Sequence, residues 1–492
     1  MTVPLNQTTV PVRFARLPKI RQFGEYTSPP ARTAARNAVP PARGTVPEQK
    51  PNNTTLLLQG PMGPLFRLLG QELSERGVTV WRINLNLADV FDWRSYRCWR
   101  QTVSYRGTRS QWSAFIEKFL IEKGVTTLCL FDDCRPYHAD AIAVARRLGI
   151  RVQVVEAGYF RPDHITIEPD GVQANSRLPR DPEFYRAQPD ERPESWIPIG
   201  STFASMAFSA SVYFLLLWIS AFFYPHYRHH KAMPWYKEMI CGIRSWIRSL
   251  TERFHDREVM ERIVGQHPYF VVPLQVFRDQ QISHHSDYDD VADFIDEVVT
   301  SFSKYASAGD HLILKHHPMD RGYRNYSKLI SRLSERHGTN DRIHYVVDAH
   351  LPTLLRHAQG TITINSTAGI ASLHHGTPVH VMGRCFYAMD GLAQTGALDG
   401  FWKAPGQVDE NLYRRFRAFL LQNRQINGSL YGAFHRTPAI RHLAEVLTGV
   451  RPVWSAESPP DRSFIRSYVL HPVIPAEEAR DAEPDLIALH CD

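Results

Sequence analysis

"HLILKHHPMDRG", residues 311–322, runs a stretch of alternating and apolar residues straight into Lys315, His316, His317 and Pro318. A short apolar run that ends in a cation, two imidazoles and a proline reads as a buried strand meeting a turn. In an open α/β sheet, ligands sit beyond the carboxyl ends of the strands. The stretch therefore predicts a parallel sheet with a site along its edge. Lys315 and His317 are suited there to an anionic group such as a phosphate, with Pro318 fixing the turn. The competing reading is a satisfied structural histidine. Neighbouring residues of a strand point to opposite faces, so His316 and His317 do not read as two ligands of one metal.

The surroundings repeat the pattern. "YFVVPLQ" (269–275), "RIHYVVD" (342–348), "GTITINSTAG" (360–369) and "TPVHVMG" (377–383) are short apolar runs ended by Gly, Pro or polar residues. "DYDDVADFIDEVVTSFSKYA" (287–306) has the spacing of an amphipathic helix. Its leading acids suit a helix N-terminus better than a divalent ion. In "TINSTAG", Asn365 ends a strand, and Ser366, Thr367 and Gly369 open a helix whose free N–H groups suit a phosphate. A plain N-cap is the equal alternative.

A second α/β series precedes this one. "TTLLLQGPMGP" (54–64) reads as a strand and a turn holding Gly60 and Gly63. "PLFRLLGQELSERG" (64–77) is helical, and "VTVWRIN" (78–84), "TTLCLFDD" (126–133) and "RVQVVEAGY" (151–159) are strands. Strands alternating with helices imply a Rossmann-like parallel sheet with right-handed crossovers. The fold class expected is thus α/β, two Rossmann-like domains facing a cleft (GT-B-like) with a hydrophobic helical insert between them. "FDDCRPYH" (131–138) puts Asp132, Asp133, Arg135 and His138 after one strand, and "EAGYFRP" (156–162) puts Glu156 and Arg161 after the next. Acids at two strand ends are costly to bury without a purpose, and a carboxylate facing the cleft suits a general base or nucleophile. The arginines read equally well as ion-pair partners.

The boundaries expected are a Pro/Arg-rich disordered arm (1–53), an N-terminal Rossmann-like domain on the acceptor side (54–195), an insert (196–265), a C-terminal Rossmann-like domain (266–445) and a tail (446–492). In the insert, "FASMAFSASVYFLLLWISAFF" (203–223) carries no charge over 21 residues and is long enough to cross a bilayer. A true span would part the two domains, so a membrane-touching insert is the reading taken, with a buried helix pair as the alternative. "PWYKEMICGIRSWIRSLTERF" (234–254) has an interfacial amphipathic pattern, or that of an ordinary surface helix.

Composition narrows the class. At 492 residues, 43% hydrophobic and 22% charged, the chain is globular and too long for one ordinary core. A net charge of +7 suits nucleotides, acidic sugars or an anionic membrane. No compact basic run interleaved with aromatics points to nucleic acid. The six cysteines form no CxxC pair, which fits a reducing compartment and argues against structural zinc or a disulfide framework.

Taken in order, "LLLQGPMGP", "FDDCRPYH", "EAGYFRPDHIT", "PLQVFRDQQI", "LKHHP", Leu351–Pro352, "NSTAG" and "GTPVHVMG" closely resemble the capsular polysaccharide biosynthesis and export proteins of the KpsS/LipB type, over roughly residues 54–400. The resemblance implies a retaining β-Kdo transferase that moves 3-deoxy-D-manno-oct-2-ulosonic acid (Kdo) from CMP-Kdo to a lyso-phosphatidylglycerol-type lipid. This step starts the linker of a capsule-type polysaccharide. It implies a cytoplasmic protein, peripheral at the inner membrane, working with other capsule synthesis and export proteins, with no cofactor and no obligatory metal. Donor-binding residues implied are Lys315, His317, Pro318, Asn365, Ser366, Thr367 and Gly369. The catalytic candidates are Glu156, Asp133 and His317, and further cleft candidates are Gly60, Gly63, Arg135, His138, Arg161 and Gln275. This sequence departs from the family's "E-[ED]-G-[FY]" pattern at Ala157, where the second acid is missing. A non-catalytic scaffold of the export machinery, or a transferase for another CMP-sugar or acceptor, stands as the alternative.

Overall fold

A computed structural model describes residues 53–94, 101–189, 196–229, 235–277, 280–432, 434 and 437–451. The expected arm (1–53) and the tail beyond residue 451 lie outside these residues, apart from Asn53. Among the described residues, thirteen strands build two sheets. In the first half of the chain they are β1 (Thr54–Leu57), β2 (Thr79–Asn84), β3 (Thr102–Ser104), β4 (Thr127–Phe131), β5 (Arg151–Ala157) and β6 (His164–Pro169). There follow β7 (Tyr269–Pro273), β8 (His311–Lys315), β9 (Ile343–Val346), β10 (Gly360–Thr363), β11 (Val379–Val381), β12 (Ala393–Gln394) and β13 (Gln425–Asn427).

The first sheet has the order β13-β6-β5-β4-β1-β2-β3 and the second β12-β11-β10-β7-β8-β9. From β3 to β5 the first sheet is parallel, and the second is parallel throughout. Both contain the Rossmann order, which reverses direction beside its first strand: between β1 and β4, and between β7 and β10. Strands covered on both faces need apolar residues on both. Accordingly Leu56 and Leu57 of β1, and Leu312, Ile313 and Leu314 of β8, are fully buried. The acidic run at residues 287–290 opens a helix, as read from the sequence: the Asp290 carboxylate accepts from Ala292 N at 2.9 Å.

The expected boundary at residue 445 is corrected. After the second sheet the chain returns to the first, where β13 pairs antiparallel with β6 (Ile426 opposite Ile165). The helix Ala439–Thr448 then packs on the helix Leu65–Glu75. Leu443 and Leu447 complete one core with Leu57, Leu69, Ile165 and Ile426. The apolar face of β6 needs this cover, and no local periodicity announces it. Residues 446–448, expected in a tail, are helix.

The insert begins with the helix Phe203–Ser220, here the first insert helix. Among the described residues it is the one helix long and apolar enough to cross a membrane, yet little of it is buried. It lies along the first domain: Tyr213 Oη accepts from Gln59 Nε2 (3.1 Å) and Asn86 Nδ2 (3.2 Å), and Ser220 Oγ accepts from Leu87 N (3.0 Å). Small Ser209 allows close approach, its Oγ lying 3.2 Å from where a side chain on Gly63 would begin. Phe203, Phe208, Leu215, Trp218 and Phe222 face outward. The alternative of a buried helix pair is therefore not what forms.

Candidate active site

The opening stretch ends where it was expected to. His317 follows β8, Gln275 follows β7 and Asn365 follows β10, so three adjacent strands present polar side chains at one carboxyl edge. Gln275 and Asn365 clasp each other across the point of reversal. Gln275 Nε2 donates to Asn365 Oδ1 at 2.9 Å, and Asn365 N donates to Gln275 Oε1 at 3.2 Å. His317 is half-buried and caps a short 3-10 turn (Pro318–Asp320), its Nδ1 accepting from Met319 N at 3.2 Å. With Nδ1 accepting, a neutral ring carries its proton on Nε2.

His316 belongs to the interior. It is 1% exposed, its Nδ1 lies 2.8 Å from Tyr345 Oη, and burial pushes its pKa down to about 3. Burial makes this member of the pair structural, although its Nε2 has no hydrogen-bond partner among the described residues. Lys315 also departs from expectation: its ammonium is buried and donates to the carbonyls of His316 (2.9 Å) and Val347 (3.4 Å). Burial lowers its pKa to about 8 against the pull of Asp348 and Asp256. Its position along the strand turns the side chain inward.

At the second turn, Ser366 Oγ accepts from Ala368 N at 3.1 Å, one residue before the N-cap Thr367. The Thr367 side chain makes no capping bond and is partly exposed. Gly369 answers to packing, because a Cβ there would lie 2.3 Å from Tyr387 Oη. Tyr387 in turn donates to Ser366 O at 2.5 Å. Pro318 is exposed.

Along the first sheet, the acids divide. Asp133 is buried and committed: its Oδ2 accepts from Val172 N (3.1 Å) and Asn175 Nδ2 (2.9 Å). Burial raises its pKa to about 6. It anchors the 172–175 loop, and its candidacy as the catalytic group is corrected on that ground. Asp132 is the more open of the two. Its backbone lies in the left-handed region (φ +67°), and its side chain is a quarter exposed. Asp132 Oδ1 accepts from Cys134 N at 2.9 Å, and Oδ2 lies 3.6 Å from Arg135 Nε. A non-glycine residue held at such φ costs of order 1 kcal/mol and is most often met at functional sites. Sequence reading noted Asp132 but chose its neighbour, since no pattern marks which of two adjacent acids a turn expends.

Glu156 is half-buried at the end of β5, with Oε1 accepting from its neighbour Ala157 N at 2.9 Å. Burial first, then the charge of Asp132, holds its carboxyl well above the ordinary carboxylate range, against backbone and Arg161. Arg161 is exposed and bonds Gly158 O at 3.2 Å. Arg135 reaches Gln59 Oε1 at 3.3 Å and Gly60 O at 3.5 Å. His138 is fully buried below the turn. Its Nδ1 donates to Asp132 O (2.9 Å), and burial pushes its pKa down to about 3. It supports Asp132 and does not face the cleft. Gly60 is required by the Phe66 ring, 2.7 Å from a would-be Cβ, and Gly63 by its φ of +105°.

The two edges meet. Tyr159, after β5, lies against Phe386, after β11, with ring centroids 4.3 Å apart. Cys134 Sγ lies 3.8 Å from His285 Nε2. Both edges are carboxyl edges, so the α/β class with two Rossmann-like domains facing a cleft is what the chain adopts. His285 and Arg384 border this contact, Arg384 N donating to His285 O at 2.8 Å. Both were missed from sequence: His285 sits outside any strand-end pattern, and Arg384 follows the run that ends at Gly383 without marking itself as part of the edge.

The site thus sets hydroxyl, amide and imidazole groups at the carboxyl edge of one sheet and carboxylates at that of the other, in a two-domain α/β protein. The comparisons with known proteins then name the family. Residues 126–431 match the family described as capsule polysaccharide biosynthesis protein. The chain is 40% identical over 379 residues to the capsule polysaccharide export protein KpsS of Escherichia coli, covering 76% of this chain and 96% of that one. It is 34% identical over 390 residues to the capsule polysaccharide modification protein LipB of Neisseria meningitidis serogroup A, covering 76% and 91%. Among solved structures it is similar to Thermosulfurimonas dismutans KpsC, beta Kdo 2,7 transferase, with 15% identity and a TM-score of 0.37 over 82% of this chain and all of that one. The chain belongs to the capsule polysaccharide biosynthesis protein family, and within it to the KpsS/LipB type.

Proposed function

We propose that this protein is a retaining β-Kdo transferase. It takes Kdo from CMP-Kdo and places it on a lyso-phosphatidylglycerol-type lipid at the cytoplasmic face of the inner membrane, starting the linker of a capsule-type polysaccharide. The observation that carries the reading is the row Asn365, Gln275 and His317 on three adjacent strand ends of one sheet, with Asp132 and Glu156 at two adjacent strand ends of the other. In this reading the His317 Nε2–H and the Ser366–Thr367 turn hold the CMP phosphate. The bond between the anomeric carbon and the phosphate oxygen breaks, and its electron pair leaves with CMP. Hydrogen bonds aimed at the departing oxygen are worth most in a site that excludes water. No metal is required for such a leaving group. The acceptor hydroxyl must lose a proton as the new bond forms, and this reading assigns that proton to the Asp132 carboxylate at the end of β4. The outward apolar face of the first insert helix gives the acyl chain of the acceptor a place beside the Gly60–Gly63 turn.

The test is transfer itself. Purified protein is supplied with CMP-Kdo generated in situ and a fluorescent lyso-phosphatidylglycerol, and the product is read by mass. One added Kdo, lost in His317→Ala, is expected. Ala157 favours a second reading, a component that binds the donor sugar without turning it over. CMP binding with no transfer to any lipid would establish that reading in place of the first.

A further inference from the structure

The helix Trp235–Thr251, the second insert helix, is mounted with its polar side inward. An ordinary surface helix turns its apolar stripe to the core. Here Ile240, Ile243, Trp246, Ile247 and Leu250 face out, with Ile243 53% and Trp246 65% exposed. They recur at helical spacing and so form one stripe. The inward side is bolted to the turn that follows His317. Arg248 Nη1 donates to Arg321 O (2.6 Å) and to Arg324 O (2.7 Å). Arg321 Nε lies 3.4 Å from Ser245 Oγ. The backbone of Gly322 approaches so closely that a Cβ there would lie 1.9 Å from Cys241 O. Two residues further back, Asp320 N donates to His317 O (2.9 Å), and Asp320 Oδ2 accepts from Phe277 N (3.2 Å) in the loop after β7. Outer stripe, helix, turn and candidate donor edge are thus joined in series.

We propose that the second insert helix docks on an anionic phospholipid bilayer, and that this docking holds the His317 turn in the form that binds the donor nucleotide. The inference rests on the donor reading given above and adds its regulation. Charge complementarity selects the occupant: residues 203–250 hold five Lys or Arg against one Glu, which an anionic surface attracts and a neutral one does not. The second insert helix touches the first, and each carries exposed apolar side chains. Aromatic and aliphatic side chains on one face with cations among them are the composition of a helix lying in the interface plane. A docked helix that cannot rock holds Arg248 and Gly322, and with them the turn, in one position.

The experiment uses the full chain with vesicles of phosphatidylcholine alone or mixed with phosphatidylglycerol. It reads co-sedimentation and, separately, CMP affinity by calorimetry. The wild type is expected to sediment with the anionic vesicles only and to bind CMP at least about 3-fold more tightly in their presence. The double variant Ile243→Ser, Ile247→Ser is expected to lose both effects and keep the vesicle-free CMP affinity. Arg248→Gln is expected to keep sedimentation and lose the gain in affinity, which separates coupling from docking. Equal CMP affinity with and without anionic vesicles would overturn the coupling. Undiminished sedimentation of the double variant would overturn the docking face. Sedimentation with no CMP binding under any condition would overturn the donor reading and the coupling with it, while leaving the docking result standing.

Discussion

The two sheets share a strand order and differ in what they carry at the same edge. Beyond β7, β8 and β10 the second sheet offers amide, imidazole and hydroxyl groups: Gln275 and Asn365 clasped together, His317 capping its own turn, and Thr367 partly open. Beyond β4 and β5 the first sheet offers three carboxyls within one neighbourhood, two of them raised above their ordinary range. In the proposed reading one edge donates hydrogen bonds to an anion and the other handles the acceptor's proton. A Rossmann-like order fixes where a site lies, and the loops that follow the strands decide its chemistry.

The sharpest way to break this comparison is to neutralise the acidic edge and measure both roles. Asp132→Asn and Glu156→Gln are each expected to lower turnover by about 100-fold or more, the range lost with a general acid or base. CMP affinity should stay within about 2-fold, since the nucleotide is assigned to the other edge. Transfer rates and calorimetric titration of the same preparations check both halves. A matching loss of CMP affinity would mean that the edges do not divide the work.

A smaller effect is expected at Gly369, on the donor edge but assigned here to packing. Gly369→Ala pushes a methyl against the Tyr387 hydroxyl, which itself bonds Ser366 O. Overpacking of this kind costs about 1–3 kcal/mol. A lowered Tm with unchanged CMP affinity of the folded protein is the outcome expected. An affinity loss with unchanged Tm would return Gly369 to the donor site.

How much of this was legible in the sequence follows from what is local. Alternation and apolar runs marked most strands of the parallel cores, and a strand end followed by polar residues marked the two edges. The antiparallel pair β6 and β13 was not legible, because β13 is three residues long and finds its partner some 260 positions away. The buried ion pair of Arg424 with Glu168 belongs to the same long-range closure. Within the site, sequence identified the turns but not the side-chain directions. Lys315 and His317 are both at the end of β8, yet only burial shows that one ammonium is taken by carbonyls. Asp132 and Asp133 are adjacent, and a single peptide step separates the loop anchor from the more open residue. Tyr213 was hidden for a different reason. In an uncharged run it reads as one more aromatic, while its hydroxyl ties the first insert helix to Gln59 and Asn86.

The last prediction concerns what the two edges have in common. Behind each stands a neutral, fully buried histidine: His138 under the β4 turn and His316 at the end of β8, each with its pKa pushed down to about 3 by burial. An unfolded chain returns such a group to about 6.5. Between those values the unfolded state takes up a proton that the folded state refuses, so stability is whole above about pH 6.5 and falls as the pH drops toward 3. The slope approaches about 1.4 kcal/mol per pH unit for each histidine. His138→Asn keeps a donor near Asp132 O and removes the titration. Its Tm should therefore fall less steeply than that of the wild type between pH 6 and 4, by about one proton's worth, whatever the variant costs at pH 7. Denaturation curves at three or four pH values measure it. Parallel slopes would show that His138 is already accessible to protons in the folded protein, and that the support under the acidic edge is looser than its counterpart under the donor edge.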